Sequence, residues 1–222
     1  MPYDAIIFDF DGVLITGRRT PGGVYKAATR ATLAAYGHEN PQGWDHRLER
    51  PSDASTFRET CESWDLPAEE AWAYREAAAT HIEDAWLDRG DRAPSKDTHV
   101  LPDLAEAYAI GIASNNRNAL VGRCLDYFDW HEQIDAYRGR YPTLEEYEHR
   151  KPHPRFLRAV IQHLAAEEPL YVGDRESDVI AASRVDCDSV LLRRTDQDRP
   201  VEQTPTYNVA SLTELLQHLD HV

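Results

Sequence analysis

Seven residues, six of them at or just beyond the ends of apolar runs, carry the groups that could do chemistry in this chain. Asp9 and Asp11 follow Ala5, Ile6, Ile7 and Phe8 in the stretch AIIFDFDGVL. The four apolar residues do not alternate with polar ones, which is the pattern of a strand covered on both faces. An unpaired carboxylate is costly to bury, so the pair implies a positive partner or a strand that ends at the surface. The same conjunction recurs twice, and a lysine stands just ahead of a further helical segment. Ser114 and Asn115 close AIGIASN, Lys151 stands in RKPHP, and Asp174 and Asp178 stand in VGDRESDV.

Each stretch has a plain structural reading when taken alone. DFDG suits a turn, Ser114 a helix cap, Lys151 a solvated surface, and GDRESD an acidic helix N-terminus. In this order, each at a strand end, they describe a metal and phosphate site, because open parallel sheets bind ligands outside the carboxyl ends of their strands. Asp9, Asp11 and Asp174 offer the oxygen ligands that a hard cation such as Mg²⁺ takes, with positions left for water and a substrate phosphate. An Asp carboxylate can attack phosphorus and form an aspartyl-phosphate. A second acid two residues on can protonate the leaving alcohol and then activate water. An ammonium and a hydroxyl supply charge and donors to the phosphoryl oxygens.

The elements that must position these groups follow from periodicity and punctuation. Short apolar runs predict strands at Ala109–Ser114, Ile134–Tyr137, Leu170–Gly173, Ser189–Leu192 and Tyr207–Val209. Helical segments alternate with them at Pro102–Tyr108, Asn118–Tyr127, Pro154–Ala165, Glu176–Ser183 and Ser211–Leu219. Ser211 with Glu214 reads as a capping box. The alternation predicts an α/β fold, a doubly wound parallel sheet with helices on both faces. Residues 16–98 break that rhythm, with no convincing strand and helical stretches near Val24–Tyr36, Ala54–Trp64 and Ala68–Trp86. Gly/Pro-bearing segments flank the block, so the expected organisation is a discontinuous core of residues 1–15 and 99–222 carrying an inserted helical domain of residues 16–98.

Together the four motifs resemble the haloacid dehalogenase (HAD) superfamily of phosphohydrolases. DFDGVL is similar to its first motif, Ser114 in GIASN to the second, Lys151 in RKPHP to the third, and VGDRESDV to the fourth; residues 16–98 fall where the family carries a helical cap. The resemblance implies a Rossmann-like core, phosphoglycolate phosphatase-like members being similar, and a Mg²⁺ cofactor. It implies Asp9 as nucleophile and Asp11 as general acid/base, with the Asp11 backbone carbonyl also on the metal. Asp174 would be the third protein ligand, and Asp178 a ligand through water or a support. Ser114 and Lys151 would hold the phosphoryl group with Asn115 beside it. Because an acid occupies position 11 and Lys26 fits no cap-lysine motif, the resemblance implies phosphate monoester hydrolysis rather than dehalogenation or phosphonate cleavage. The segment RGRYPTLEEYEHR before Lys151 is longer and more charged than expected of compact relatives, and either borders the substrate pocket or is a solvated loop. Arg18 and Arg19 could meet an anionic substrate or simply face solvent.

Composition narrows the function classes. The 222 residues carry a net charge of −15 with 41% hydrophobic residues, enough apolar content for a core. The basic residues include only three lysines, Lys26, Lys96 and Lys151, and no basic stripe, which argues against nucleic acid as a partner. No apolar run reaches the roughly 18–20 residues of a membrane span, nor does a signal-peptide pattern open the chain. A cytoplasmic location and a small phosphorylated metabolite as substrate are therefore expected, with oligomeric state open. Acid-rich, lysine-poor composition also fits a high-salt cytoplasm. Cys61, Cys124 and Cys187 lack any CxxC spacing and read as reduced core residues. A sugar phosphomutase would share every core group and is the alternative. A phospho-receiver signalling module uses similar groups, but at about 120 residues and without a helical insert.

Overall fold

The computed structural model describes residues 2–16, 20, 22–38, 43–194 and 201–219. The chain opens with β1 (Ala5–Phe8) and β2 (Ile15–Thr16), then enters the helices α1 (Gly22–Ala35), α2 (Ala54–Glu62) and α3 (Ala68–Asp88). It returns through β3 (Ala93–Pro94) and α4 (Leu101–Ala107) into β4 (Ala109–Arg117), α5 (Asn118–Phe128), β5 (Ala136–Arg140), α6 (Leu144–Glu148) and α7 (Arg155–Leu164). The last elements are β6 (Pro169–Gly173), α8 (Glu176–Ser183), β7 (Asp188–Leu192), β8 (Tyr207–Val209) and α9 (Leu212–Leu219).

Among the described residues, six strands form one parallel sheet in the order β5-β4-β1-β6-β7-β8. The expected doubly wound sheet is therefore present. β1 lies at its centre, with Ala5 opposite Ala109 on one side and Pro169 on the other. From β1 the chain moves outward to β4 and β5; from β6 it moves the opposite way to β7 and β8. The crevice beyond β1 and β6 is thus the switch point, where such sheets bind ligands.

β1 is buried because successive side chains enter opposite layers. Ile6 and Phe8 join the larger cluster with Ile112, Leu120, Val172 and Leu215. Ile7 joins the other with Phe156, Leu157, Val160 and Tyr171. Fully burying each such side chain stabilises by roughly 1.5–3 kcal/mol, so β1 is a firm base for the polar residues that follow it.

The block between β2 and β3 contains the three helices that periodicity predicts. Trp72 is fully buried there among Leu33, Phe57 and Cys61, with Trp44 and Trp64 packed against the same cluster. The expectation of no strand between 16 and 98 is corrected at its edges. β2 and β3 pair antiparallel, Ile15 with Pro94 and Thr16 with Ala93, so the two connections to the block are hydrogen-bonded to each other. Two residues per strand are too few for a periodic signal.

Other differences lie at element ends. β4 runs to Arg117 through an irregular register after Ala113, where the polar SNNR reads as a loop. β5 begins two residues later than expected, because Ile134 is buried by packing rather than by pairing. Pro154 precedes the first residue of α7. Ser211 Oγ accepts from Glu214 N at 3.0 Å, as a capping box requires, while Glu214 takes the N–H of Ala210. No helix among the described residues is long and apolar enough to cross a membrane.

Cys61, Cys124 and Cys187 are buried and unbridged, and burial pushes each thiol up to about 12. Thiolate is the reactive form, so at pH 8 a thiol reagent such as DTNB should label none of them in the folded protein and all three in urea. Rapid labelling of any one without denaturant would show that its layer opens.

Candidate active site

The loop after β1 continues the sheet ladder for one residue, since Asp9 N donates to Val172 O at 2.8 Å. Asp9 is buried, and its Oδ1 accepts from Phe10 N at 2.7 Å and Lys151 Nζ at 2.8 Å. Phe10 re-enters the core. The chain then turns back tightly, with Gly12 N donating to Ile15 O at 2.9 Å. Gly12 has φ +91°, and a Cβ there would stand 2.5 Å from Asp174 Oδ2. Only glycine meets both demands.

Lys151 is the centre of the site. Its ammonium donates to Asp9 Oδ1, to Asp178 Oδ1 at 2.7 Å and to the Tyr171 hydroxyl at 2.6 Å, with Ala113 O also within reach at 3.2 Å. The Tyr171 hydroxyl passes its own proton to Ala113 O at 2.9 Å. Burial would lower the Lys151 pKa, but Asp178 and Asp9 hold it above the usual lysine value. Burial pushes Asp178 up to about 6 against the pull of Lys151, with Asp9 adding repulsion.

Asp178 sits on the first turn of α8, and its Oδ2 accepts from Arg175 N at 3.0 Å. Gly173 lets it approach the strand end, because a Cβ there would lie 2.2 Å from Asp178 Cβ. Asn115 fixes the Lys151 main chain from both sides. Its Oδ1 accepts from Lys151 N at 2.7 Å, and its Nδ2 donates to Lys151 O at 3.3 Å. Ser114 is buried under the loop, and its Oγ accepts from Asn116 N at 3.1 Å.

Carboxylate oxygens of Asp9, Asp174 and Asp178 lie within 4.8 Å of one another. An all-oxygen, partly buried set suits a hard divalent cation, and the glycine at position 12 leaves room for Asp174 to join it. The Asp11 carboxylate lies outside this set, because it is turned elsewhere. Oδ2 accepts from Asn116 Nδ2 at 2.6 Å, and Oδ1 is ion-paired with Arg92. Any contribution of Asp11 to a cation then falls to its main-chain carbonyl.

These residues open on a cavity of about 1170 Å³. Its far wall comes from the helical block, including Tyr25, Arg50, Arg75 and Glu76. Tyr147 and Arg150 also line it, so the segment before Lys151, which folds into β5 and α6, borders the cavity. Arg18 and Arg19 lie outside the described residues. Sequence reasoning missed Tyr171, Asn116 and Arg92, and also the buried cluster of Glu76 with Arg75 and Arg140, at 2.5 Å and 2.6 Å. Burial would raise Glu76, but Arg140, Arg75 and Arg117 hold it below the usual carboxylate range.

A family model for haloacid dehalogenase-like hydrolases matches residues 3–186. CbbY from Rhodobacter sphaeroides, solved with phosphate, is 20% identical, with a TM-score of 0.67 over 98% of this chain and 99% of that one. A phosphatase predicted in Clostridium acetobutylicum is 18% identical, with a TM-score of 0.67 over 99% of each chain. A protein from Thermotoga maritima described as a β-phosphoglucomutase is 16% identical, with a TM-score of 0.60 over 99% of each. At such identities the likeness establishes the fold. No curated protein matches the sequence.

Gly12→Ala tests the cradle. The strained backbone should cost about 1–3 kcal/mol in urea unfolding, and displacement of Asp174 should abolish any rise in Tm that Mg²⁺ gives the native chain. A variant that keeps the full Mg²⁺ shift would show that the close approach is dispensable.

Proposed function

The chain belongs to the haloacid dehalogenase-like hydrolases, and on that premise we propose that it hydrolyses a small organic phosphate monoester through an aspartyl-phosphate on Asp9. The observation that carries this reading is the buried Asp9 carboxylate, fixed by Phe10 N and Lys151 at the mouth of a cavity sized for a metabolite. Asp9, Asp174 and Asp178, with the Asp11 carbonyl, would hold Mg²⁺. The bound cation would offset the repulsion between clustered carboxylates and an incoming phosphate.

The chain's own groups supply the remaining steps. Asp9 attacks phosphorus, forming the Asp9 O–P bond as the bond to the leaving oxygen breaks. Lys151 and the Ser114 hydroxyl face the phosphoryl oxygens, where charge spreads in the transition state. Asp11 gives a proton to the leaving alkoxide, then takes one from the water that attacks phosphorus and frees Asp9. For the first of these transfers one Asp11 oxygen must leave its present partner. Residues 16–98 act as the cap over the leaving group, and Tyr25, Arg50 and Arg75 face it. A cytoplasmic setting is part of the same proposal. So is a salt-rich one, for which activity rising with molar KCl would speak.

The test is phosphate release from p-nitrophenyl phosphate. Activity should vanish in EDTA and return with Mg²⁺, and Asp9→Asn should lower kcat by about 10³-fold or more. An active Asp9→Asn protein would overturn the nucleophile assignment. Sugar phosphate isomers formed with little free phosphate would indicate a phosphomutase instead.

A further inference from the structure

Arg92 is a buried arginine on the return connection, one residue before β3. One of its terminal nitrogens is ion-paired with Asp11 Oδ1. The other donates to Glu83 Oε1 at 2.8 Å. Glu83 stands on α3 with no exposed surface, and its second oxygen takes Arg117, from the end of β4, and the Thr20 hydroxyl at 3.0 Å. The chain Asp11–Arg92–Glu83–Arg117 therefore alternates in charge. It joins the loop after β1, the return connection, the longest helix of the block and β4.

Burying four charged groups carries a large desolvation penalty, yet the hydrolytic steps assign no task to Arg92, Glu83 or Arg117. What they do is fix one side of Asp11. Its carboxylate has two partners of unequal strength, the Arg92 guanidinium on Oδ1 and the neutral Asn116 amide on Oδ2. The Arg92 contact is charged on both sides and the Asn116 contact on one only, so the first is the stronger. When Asp11 must turn one oxygen toward a leaving group, the Asn116 contact is the one that yields, and Arg92 remains as the pivot.

We infer that Arg92 is a positioning residue for the acid/base Asp11: held by Glu83 on the cap helix, it aims Asp11 Oδ2 at the leaving-group oxygen. The inference rests on the phosphatase reading above and adds a group that touches neither substrate nor metal. It has a specific consequence. Nitrophenolate leaves readily without a proton, whereas a more basic phenolate needs one, so misaiming Asp11 should penalise poor leaving groups selectively.

The experiment measures kcat/KM for p-nitrophenyl phosphate and phenyl phosphate, two substrates of similar size, with Mg²⁺ present. In Arg92→Met the loss for phenyl phosphate should exceed the loss for p-nitrophenyl phosphate by about tenfold or more, within the range that general acids contribute. Arg92→Lys, which keeps the charge, should recover part of that gap. Arg117→Met is the comparator, because it removes a partner from Glu83 without touching Asp11 and should leave the ratio between the substrates as it is in the native protein. If Arg92→Met fails to give a cooperative unfolding transition, Arg92→Met with Glu83→Gln removes both charges together and should show the same selective loss. Equal losses for the two substrates, or a ratio moved as far by Arg117→Met, would overturn the inference and leave the phosphatase reading standing. A native protein that releases phosphate from neither substrate would overturn both.

Discussion

The ammonium of Lys151 is the interaction on which the rest of the site depends. Asp9 and Asp178 are both buried, and they accept from it at 2.8 Å and 2.7 Å. Breaking a buried pair by removing one partner typically costs about 3–5 kcal/mol, a large part of the 5–15 kcal/mol that holds an ordinary domain folded. Lys151 therefore couples stability to the proposed chemistry, because the charge that makes the carboxylates tolerable is also the one proposed to meet the phosphoryl group. Its own placement is redundant: Asn115 grips its main chain from both sides, and the Tyr171 hydroxyl and Ala113 O accept from its ammonium.

A second set of buried charges joins the helical block to the sheet. Arg75, Glu76 and Arg140 form one group, packed against Tyr25, Trp72 and Tyr147. Arg92, Glu83 and Arg117 form another, which ends on Asp11. Guanidinium groups suit this role because they stack on aromatic faces and are weakly hydrated. A chain with a net charge of −15 thus keeps several arginines inside, at the seam where the insert meets the core, rather than spreading them over its acidic surface.

Much of the fold and site was legible in the sequence, for identifiable reasons. Unbroken apolar runs marked the central strands, and the polar residues ending them were those the sheet gathers at its switch point. Asp9, Asp174 and Asp178 could be read because charge followed an apolar run, Ser114 because a hydroxyl closed one, and Lys151 because lysine is scarce in this chain. Arg92 and Arg117 could not, because each stands among polar residues, in DRGDRAP and SNNRN, where charge suggests exposure. Tyr171 was hidden for the opposite reason, since in LYVG it passes for one more core side chain. Residues 139 and 140 read as loop because a glycine and an arginine rarely end a strand, yet Arg140 is buried by its pairing with Glu76. Pairing partners distant in sequence decide these cases, and local composition does not carry them.

The position of β1 in the sheet governs how the molecule can come into being. β1, the central strand, is made before both of its neighbours, which begin at Ala109 and Pro169. Such non-local pairings are slow to form because long loops must close first. During synthesis AIIF therefore waits unpaired while the helices of residues 22–88 emerge and can pack on one another. Asp9 waits as well, without the counter-charge of Lys151 until the residues between them have been made. No nascent fragment that stops short of α8 holds all the residues of the candidate site, and β1 is the segment that most needs shielding until then.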